Sequence, residues 1–161
     1  MEASEYMGRR VIWLTIMPDH TPVNFNDLLD AFLWVSGAAP DEYEAHISRL
    51  TGKIYWVGLA DFGIKEELPE DIGNPDLYIG IPHKNDLDLG RSLVFRFTEA
   101  YLPESCDLVY GFFRKRRAYA NFKDLLVQKG QLEHWHDYEN KATEQALREW
   151  CEDNNLEISG I

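Results

Sequence analysis

Cysteine is nearly missing. The 161-residue chain has two, Cys106 and Cys151, and neither sits in a CxxC pair or a zinc-ligand spacing. That argues against a disulfide-stapled scaffold or a zinc module. Two reduced thiols are expected, with a single Cys106–Cys151 disulfide left open. No apolar run reaches the ~20 residues that cross a bilayer, so no membrane span is expected. The opening MEASEYMGRRVIWLTIMP does not read as a secretory signal. Glu2 and Glu5 come before Arg9 and Arg10, the apolar run is short, and no small-residue cleavage site follows. A cytoplasmic protein is expected.

Positive charge is also scarce: 16 Lys and Arg stand against 28 Asp and Glu, for a net charge of −12. Such a surface repels nucleic acid and anionic lipid, which counts against broad nucleic-acid binding. Catalytic signatures are missing as well. There is no P-loop, no HExxH and no GxSxG. Asp61-Phe62-Gly63 repeats the kinase metal-binding triplet, but no glycine-rich loop, HRD or strand lysine accompanies it, so it reads as a chance match. No cofactor and no metal site are expected.

What is present is enough for a core. The chain is 45% hydrophobic and 13% aromatic, one domain's worth over residues 1–161. Arg9 to Met17 is rich in Val, Ile and Trp and reads as a strand closed by Pro18. Asn24 caps a helix whose apolar face is Phe25, Leu28, Leu29, Phe32 and Val35, stopped by Gly37. Tyr43 to Arg49 and Lys53 to Leu59 alternate as a hairpin turned at Thr51-Gly52. Asp76 to Ile81 reads as a further strand, after a long acidic loop. Helices follow. One is capped by Asn85 and carries the stripe Leu93, Val94, Phe97, Ala100, Tyr101. The others run over Glu104 to Phe113, Arg117 to Gln128 and Leu132 to Asp153, the last with the stripe Leu132, Trp135, Ala142, Ala146, Trp150. A closing strand, Leu156 to Ser159, is expected to add an edge to the sheet. Strands first and helices after means α+β: a small antiparallel sheet of N-terminal strand, hairpin and further strand, packed against about five helices.

Several short stretches, in this order and spacing, resemble a bacterial family of uncharacterised proteins, the placeholder family numbered one-five-eight. They are FNDLLDAF (Phe25 to Phe32), TGKI (Thr51 to Ile54), ELPEDI (Glu67 to Ile72), NFKDLL (Asn121 to Leu126), LEHW (Leu132 to Trp135) and ALREWCEDNNLEI (Ala146 to Ile158). Together they cover residues 23–158. The resemblance implies a bacterial, intracellular domain. It implies no activity and transfers no functional residue.

Four candidate features stand out. Arg114, Lys115, Arg116 and Arg117 form a basic run. Residues 114–129 hold six basic and one acidic residue, a balance of +5 that leaves −17 for the rest of the chain. The run could grip phosphates, bind an acidic partner protein, or bridge internally to the acidic remainder. The internal reading is favoured, and Phe112, Phe113 and Tyr119 beside the run read as core more than as base-stacking rings. His136 and Glu139, three apart on the longest helix, are neighbours that could exchange a proton. With no nucleophile or third member beside them, a structural role is favoured. His134 and His136 point to nearly opposite sides of a helix and cannot share a metal there. Trp34 falls on the polar side of its helix. It is either an interface anchor or covered by another element, and cover is favoured. The expectation is a non-catalytic cytosolic interaction or regulatory protein with a protein partner. A nucleic-acid-associated protein using residues 114–117 is the alternative.

Overall fold

Asn24 does what a capping residue should: its Oδ1 accepts the Asp27 N–H at 3.1 Å, and helix α1 (Phe25–Ser36) starts there. The computed structural model describes residues 21–160; the expected strand Arg9 to Met17 lies outside them. The described residues form two compact units. The first is the chain up to Pro82 together with the segment from Cys151, and the second is His83–Trp150.

In the first unit α1 buries Phe25, Leu28, Ala31, Phe32 and Val35. Ala31 takes the place in the stripe expected of Leu29, which is half-buried. The hairpin forms as expected, with β2 (Glu44–Ser48) antiparallel to β3 (Ile54–Val57). Strand β4 (Tyr78–Gly80) pairs antiparallel on the other side of β2, giving the order β3-β2-β4. Ala45 and Ile47 point into the core.

The closing strand is displaced from its expected place. β5 (Ile158–Ser159) pairs parallel with β1 (Val23–Asn24) as a separate two-stranded sheet, and does not extend the antiparallel one. Arg49 explains the position. Its Nη1 donates to the Asn154 carbonyl at 2.9 Å and its Nε to the Pro75 carbonyl at 3.1 Å. The returning chain is thereby held beside the hairpin turn, where Val23 N–H reaches the Glu157 carbonyl at 2.9 Å. Val23 and Leu156 are buried there.

The second unit is helical. His83, not Asn85, is the first cap: its Nδ1 accepts from the Asn85 N–H at 3.0 Å while Asp86 bonds back to the His83 N–H. Only a short 3-10 turn (Lys84–Leu87) follows. Asp88 in the left-handed region ends it, and α2 (Arg91–Tyr101) starts afresh after Gly90. Its buried face is Leu93, Val94, Phe97 and Thr98; Ala100 and Tyr101 are exposed. Thr98 is tolerated inside because its hydroxyl donates to the Val94 carbonyl at 2.7 Å. A 3-10 turn (Pro103–Ser105) leads into α3 (Cys106–Phe112). Helix α4 (Ala118–Gln128) buries Phe122, Leu125 and Leu126. The long α5 (Leu132–Asp153) buries Trp135, Thr143 and Leu147, four or eight apart, so its inward line is rotated from the expected Ala142 and Ala146. Phe97 is the hub of this core. It meets the rings of Tyr101, His134, Trp135 and Tyr138 at centroid distances of 5.1, 5.1, 5.3 and 5.2 Å. The described residues thus hold five helices and a small antiparallel sheet, an α+β fold with a helix-rich C-terminal half.

Gly52 fixes the hairpin's position. Its φ is +70°, and a Cβ there would lie 2.7 Å from the Pro22 carbonyl oxygen. Gly52→Ala therefore meets both left-handed strain and a backbone clash. We expect a loss of about 2 kcal/mol or more, read as a lower urea midpoint at unchanged slope.

Candidate functional site

The basic run lies between α3 and α4 and is held by backbone bonds. Arg114 N–H reaches the Gly111 carbonyl at 3.3 Å, Lys115 N–H the Phe112 carbonyl at 3.1 Å, and Asn121 N–H the Arg117 carbonyl at 2.9 Å. Arg117 adopts the left-handed conformation, φ 63°, at the point where the chain swings into α4. All four residues are exposed. Among the described residues no carboxylate pairs with any of the four cations. The internal bridging favoured on sequence grounds finds no partner there. The ion pairs that do form lie elsewhere, such as Arg148 with Glu144 at 2.6 Å.

The aromatics beside the run are engaged with one another. Phe113 sits edge-on to Phe95 at 5.3 Å and to Tyr119 at 5.1 Å, and Phe95 meets Tyr110 at 4.9 Å. Phe112 and Phe113 are half-buried. Tyr119 is the outward member, 41% exposed, with Lys84 Nζ 4.8 Å from its ring centre. It lines an open cleft of about 450 Å³ with Asn85, Asp88, Gly90, Arg91 and Ser92. Asn85 Oδ1 would lie 2.5 Å from a Cβ on Gly90, so this wall closes around a glycine. Burial raises the pKa of the Tyr119 hydroxyl, the Glu139 carboxylate adds to the rise and Arg91 opposes it. The cleft lining therefore carries charges of both signs, Arg91 against Asp88, and Tyr119 in its wall has Lys84 and Glu139 nearby.

His136 is exposed and Glu139 half-buried, and no hydrogen bond joins them. Glu139 lies close enough to Tyr119 to help raise the pKa of its hydroxyl, after burial. In HWH, His134 Nδ1 lies 2.8 Å from Gln131 Oε1, with its ring against Phe97 and Tyr101, while His136 stands free in solvent. Among the described residues no three His, Cys, Asp or Glu side chains are placed to share a metal ion, and no helix is long and apolar enough to cross a membrane.

Trp34 is covered, and by the hairpin. It stacks on Tyr43 at 4.8 Å and 7° and leans on Trp56 at 5.0 Å; Phe62 closes on Tyr43 at 5.9 Å. It is half-buried. Asp61-Phe62-Gly63 lies at the end of a 3-10 turn (Leu59–Phe62), where Phe62 serves this ring cluster. Sequence reasoning missed the cluster, although Tyr43 and Trp56 both sit at aromatic positions of the hairpin. The cleft at Tyr119 left no sequence signal beyond Gly90. The chain matches no family model, no curated protein and no solved structure.

Two measurements follow from the titrating groups. Tyr110 donates to Glu99 Oε1 at 2.6 Å, and chiefly this bond pushes its pKa up to about 12. A raised phenol contributes fully below its ordinary value of about 10 and loses that contribution as pH rises toward 12. Ultraviolet titration of Glu99→Gln should bring one tyrosine back toward its ordinary range. Both cysteines are free, Cys106 half-exposed and Cys151 buried, with the Cys151 thiol pushed up to about 11 by burial. Thiol reagents at about pH 8, near the ordinary thiol value, should label Cys106 promptly and Cys151 only after unfolding.

Proposed function

We propose that this protein is a non-catalytic interaction protein that docks an acidic segment of a partner protein on its basic turn, Arg114, Lys115, Arg116 and Arg117. The observation that carries this reading is four consecutive exposed cations, fixed by backbone bonds and without a paired carboxylate among the described residues. Unpaired cations keep their charge for an incoming anion, and a turn whose backbone is already fixed adds no backbone-ordering cost on meeting it. A protein segment is favoured over nucleic acid for two reasons. Phe113 is half-buried and packed against Phe95 and Tyr119 at 5.3 and 5.1 Å, which reduces the ring area open to a base. The net charge of −12 repels a long polyanion. The bacterial and cytoplasmic setting that the family resemblance implies belongs to the same proposal and brings no activity with it.

The test is a titration of the full chain with a glutamate-rich peptide and with single-stranded RNA of equal charge, at ~50 and ~200 mM salt. The peptide should bind at low salt and weaken at high salt. An Arg114→Glu, Arg116→Glu double variant should weaken it by about tenfold or more, ~1.4 kcal/mol. No binding of the peptide at low salt, or tighter binding of RNA, would overturn the reading.

A further inference from the structure

The outer edge of β3 offers a second surface, in the first unit and of opposite charge. The ladder of the hairpin fixes which groups face outward. Ser48 N–H donates to the Lys53 carbonyl at 2.9 Å, so Ser48 and Lys53 are a bonded pair, as then are His46 with Tyr55 and Glu44 with Val57. The alternate residues, Ile54 and Trp56, turn their N–H and C=O groups away from β2. The same alternation holds on the far side of β2, where Ile81 N–H donates to the Ala45 carbonyl at 2.8 Å. Among the described residues β3 has no neighbour but β2, and all four of its residues are only half-buried. Two rungs of backbone donors and acceptors are thus left open.

Two shallow grooves flank this edge. One, about 270 Å³, lies on the α1 side and is lined by Asp27, Asp30, Gly52, Lys53, Ile54 and Trp56. The other, about 300 Å³, includes Tyr55, Trp56, Leu59, Glu66 and Leu68. Their charges differ in availability. Glu66 Oε1 already accepts the Leu59 and Ala60 N–H groups, and Lys65 pairs with Glu67 at 3.3 Å. Asp27 and Asp30, both exposed and three apart on α1, have no cation paired with them among the described residues. A strand added to β3 would send alternate side chains to the two sides. On the α1 side those side chains meet two carboxylates and the indole of Trp56. Arginine suits that setting, since it pairs with carboxylates and lies well on an aromatic face.

We propose that β3 is a docking edge for an extended segment of another protein, one in which arginine alternates with apolar residues and whose backbone bonds to Ile54 and Trp56. The arginines lie over Asp27 and Asp30, and the apolar residues fill the opposite groove. This surface is independent of the basic turn, and either can fail alone.

Hydrogen exchange on the full chain tests it, with a peptide of about eight residues, a typical strand length, alternating arginine and valine. In the free chain the Ile54 and Trp56 amides should exchange faster than those of Tyr55 and Val57. Saturating peptide should slow Ile54 and Trp56 by about tenfold or more. Binding should fall by about tenfold in Asp27→Asn, Asp30→Asn and with a glutamate–valine peptide. It should be lost with the arginine peptide N-methylated on its bonding amides, a control that leaves the protein unaltered. Equal binding of the N-methylated or the glutamate peptide overturns the proposal. So does protection of Ile54 and Trp56 in the free chain. Were that protection independent of concentration, the edge is filled by the chain itself; were it concentration-dependent, by a second copy.

Discussion

Two backbone rungs join Val23–Asn24 to Ile158–Ser159, near the two ends of the chain. The first unit depends on that closure. Holding together segments so far apart costs loop entropy, though the cost grows only with the logarithm of length. Buried Val23, Cys151 and Leu156 offset it, and Arg49 adds two hydrogen bonds to the carbonyls of Pro75 and Asn154. The consequences spread outward. With Pro22 held at the hairpin turn, only a glycine fits at position 52. With the turn fixed, the register of β2 and β3 is fixed. That register decides that Ile54 and Trp56, and not Tyr55, present their backbone groups outward.

The basic turn is governed by a weaker force, and its exposure follows from that. An exposed ion pair is worth roughly 0–1 kcal/mol, because water screens the charges and two long side chains lose freedom. Repulsion between neighbouring cations in water is of the same small order, about 1 kcal/mol at 4 Å. Nothing therefore compels Arg114, Lys115, Arg116 and Arg117 to seek internal carboxylates, even in an acidic chain. Backbone bonds and the left-handed Arg117 settle the turn first, and the side chains follow it into solvent.

The same distinction marks what could be read from the sequence. Local signals were legible. Asn24 as a cap, Thr51-Gly52 as a turn and the limits of Leu132–Asp153 each depend on a few adjacent residues. Signals that depend on distant partners were not. Local signals can also compete: His83 and Asp86, on either side of Asn85, form the capping box first, and Asp88 in the left-handed region ends the turn. Nothing in Leu156 to Ser159 reveals that Arg49 steers it to β1. The inward line of α5 was misplaced because Ala142 and Ala146 are apolar, while the packing selects Thr143 and Leu147. Trp34 was placed on the polar side of its helix, which is correct for α1 alone. Its cover comes from Tyr43 and Trp56 on the hairpin.

Net charge alone does not reveal the basic turn, because charge acts over a short range. At physiological ionic strength the screening length is about 8 Å. A segment arriving at residues 114–117 meets the local balance of +5 over residues 114–129 before it meets the remaining −17. A short acidic segment can settle inside that range. A long polyanion reaches beyond it and meets repulsion along most of its length. A short arginine-bearing strand at Asp27 and Asp30 is favoured both by those carboxylates and by the chain as a whole. As proposed, the two surfaces would select by opposite sign, the basic turn by length as well, and each would exclude the ligand that suits the other.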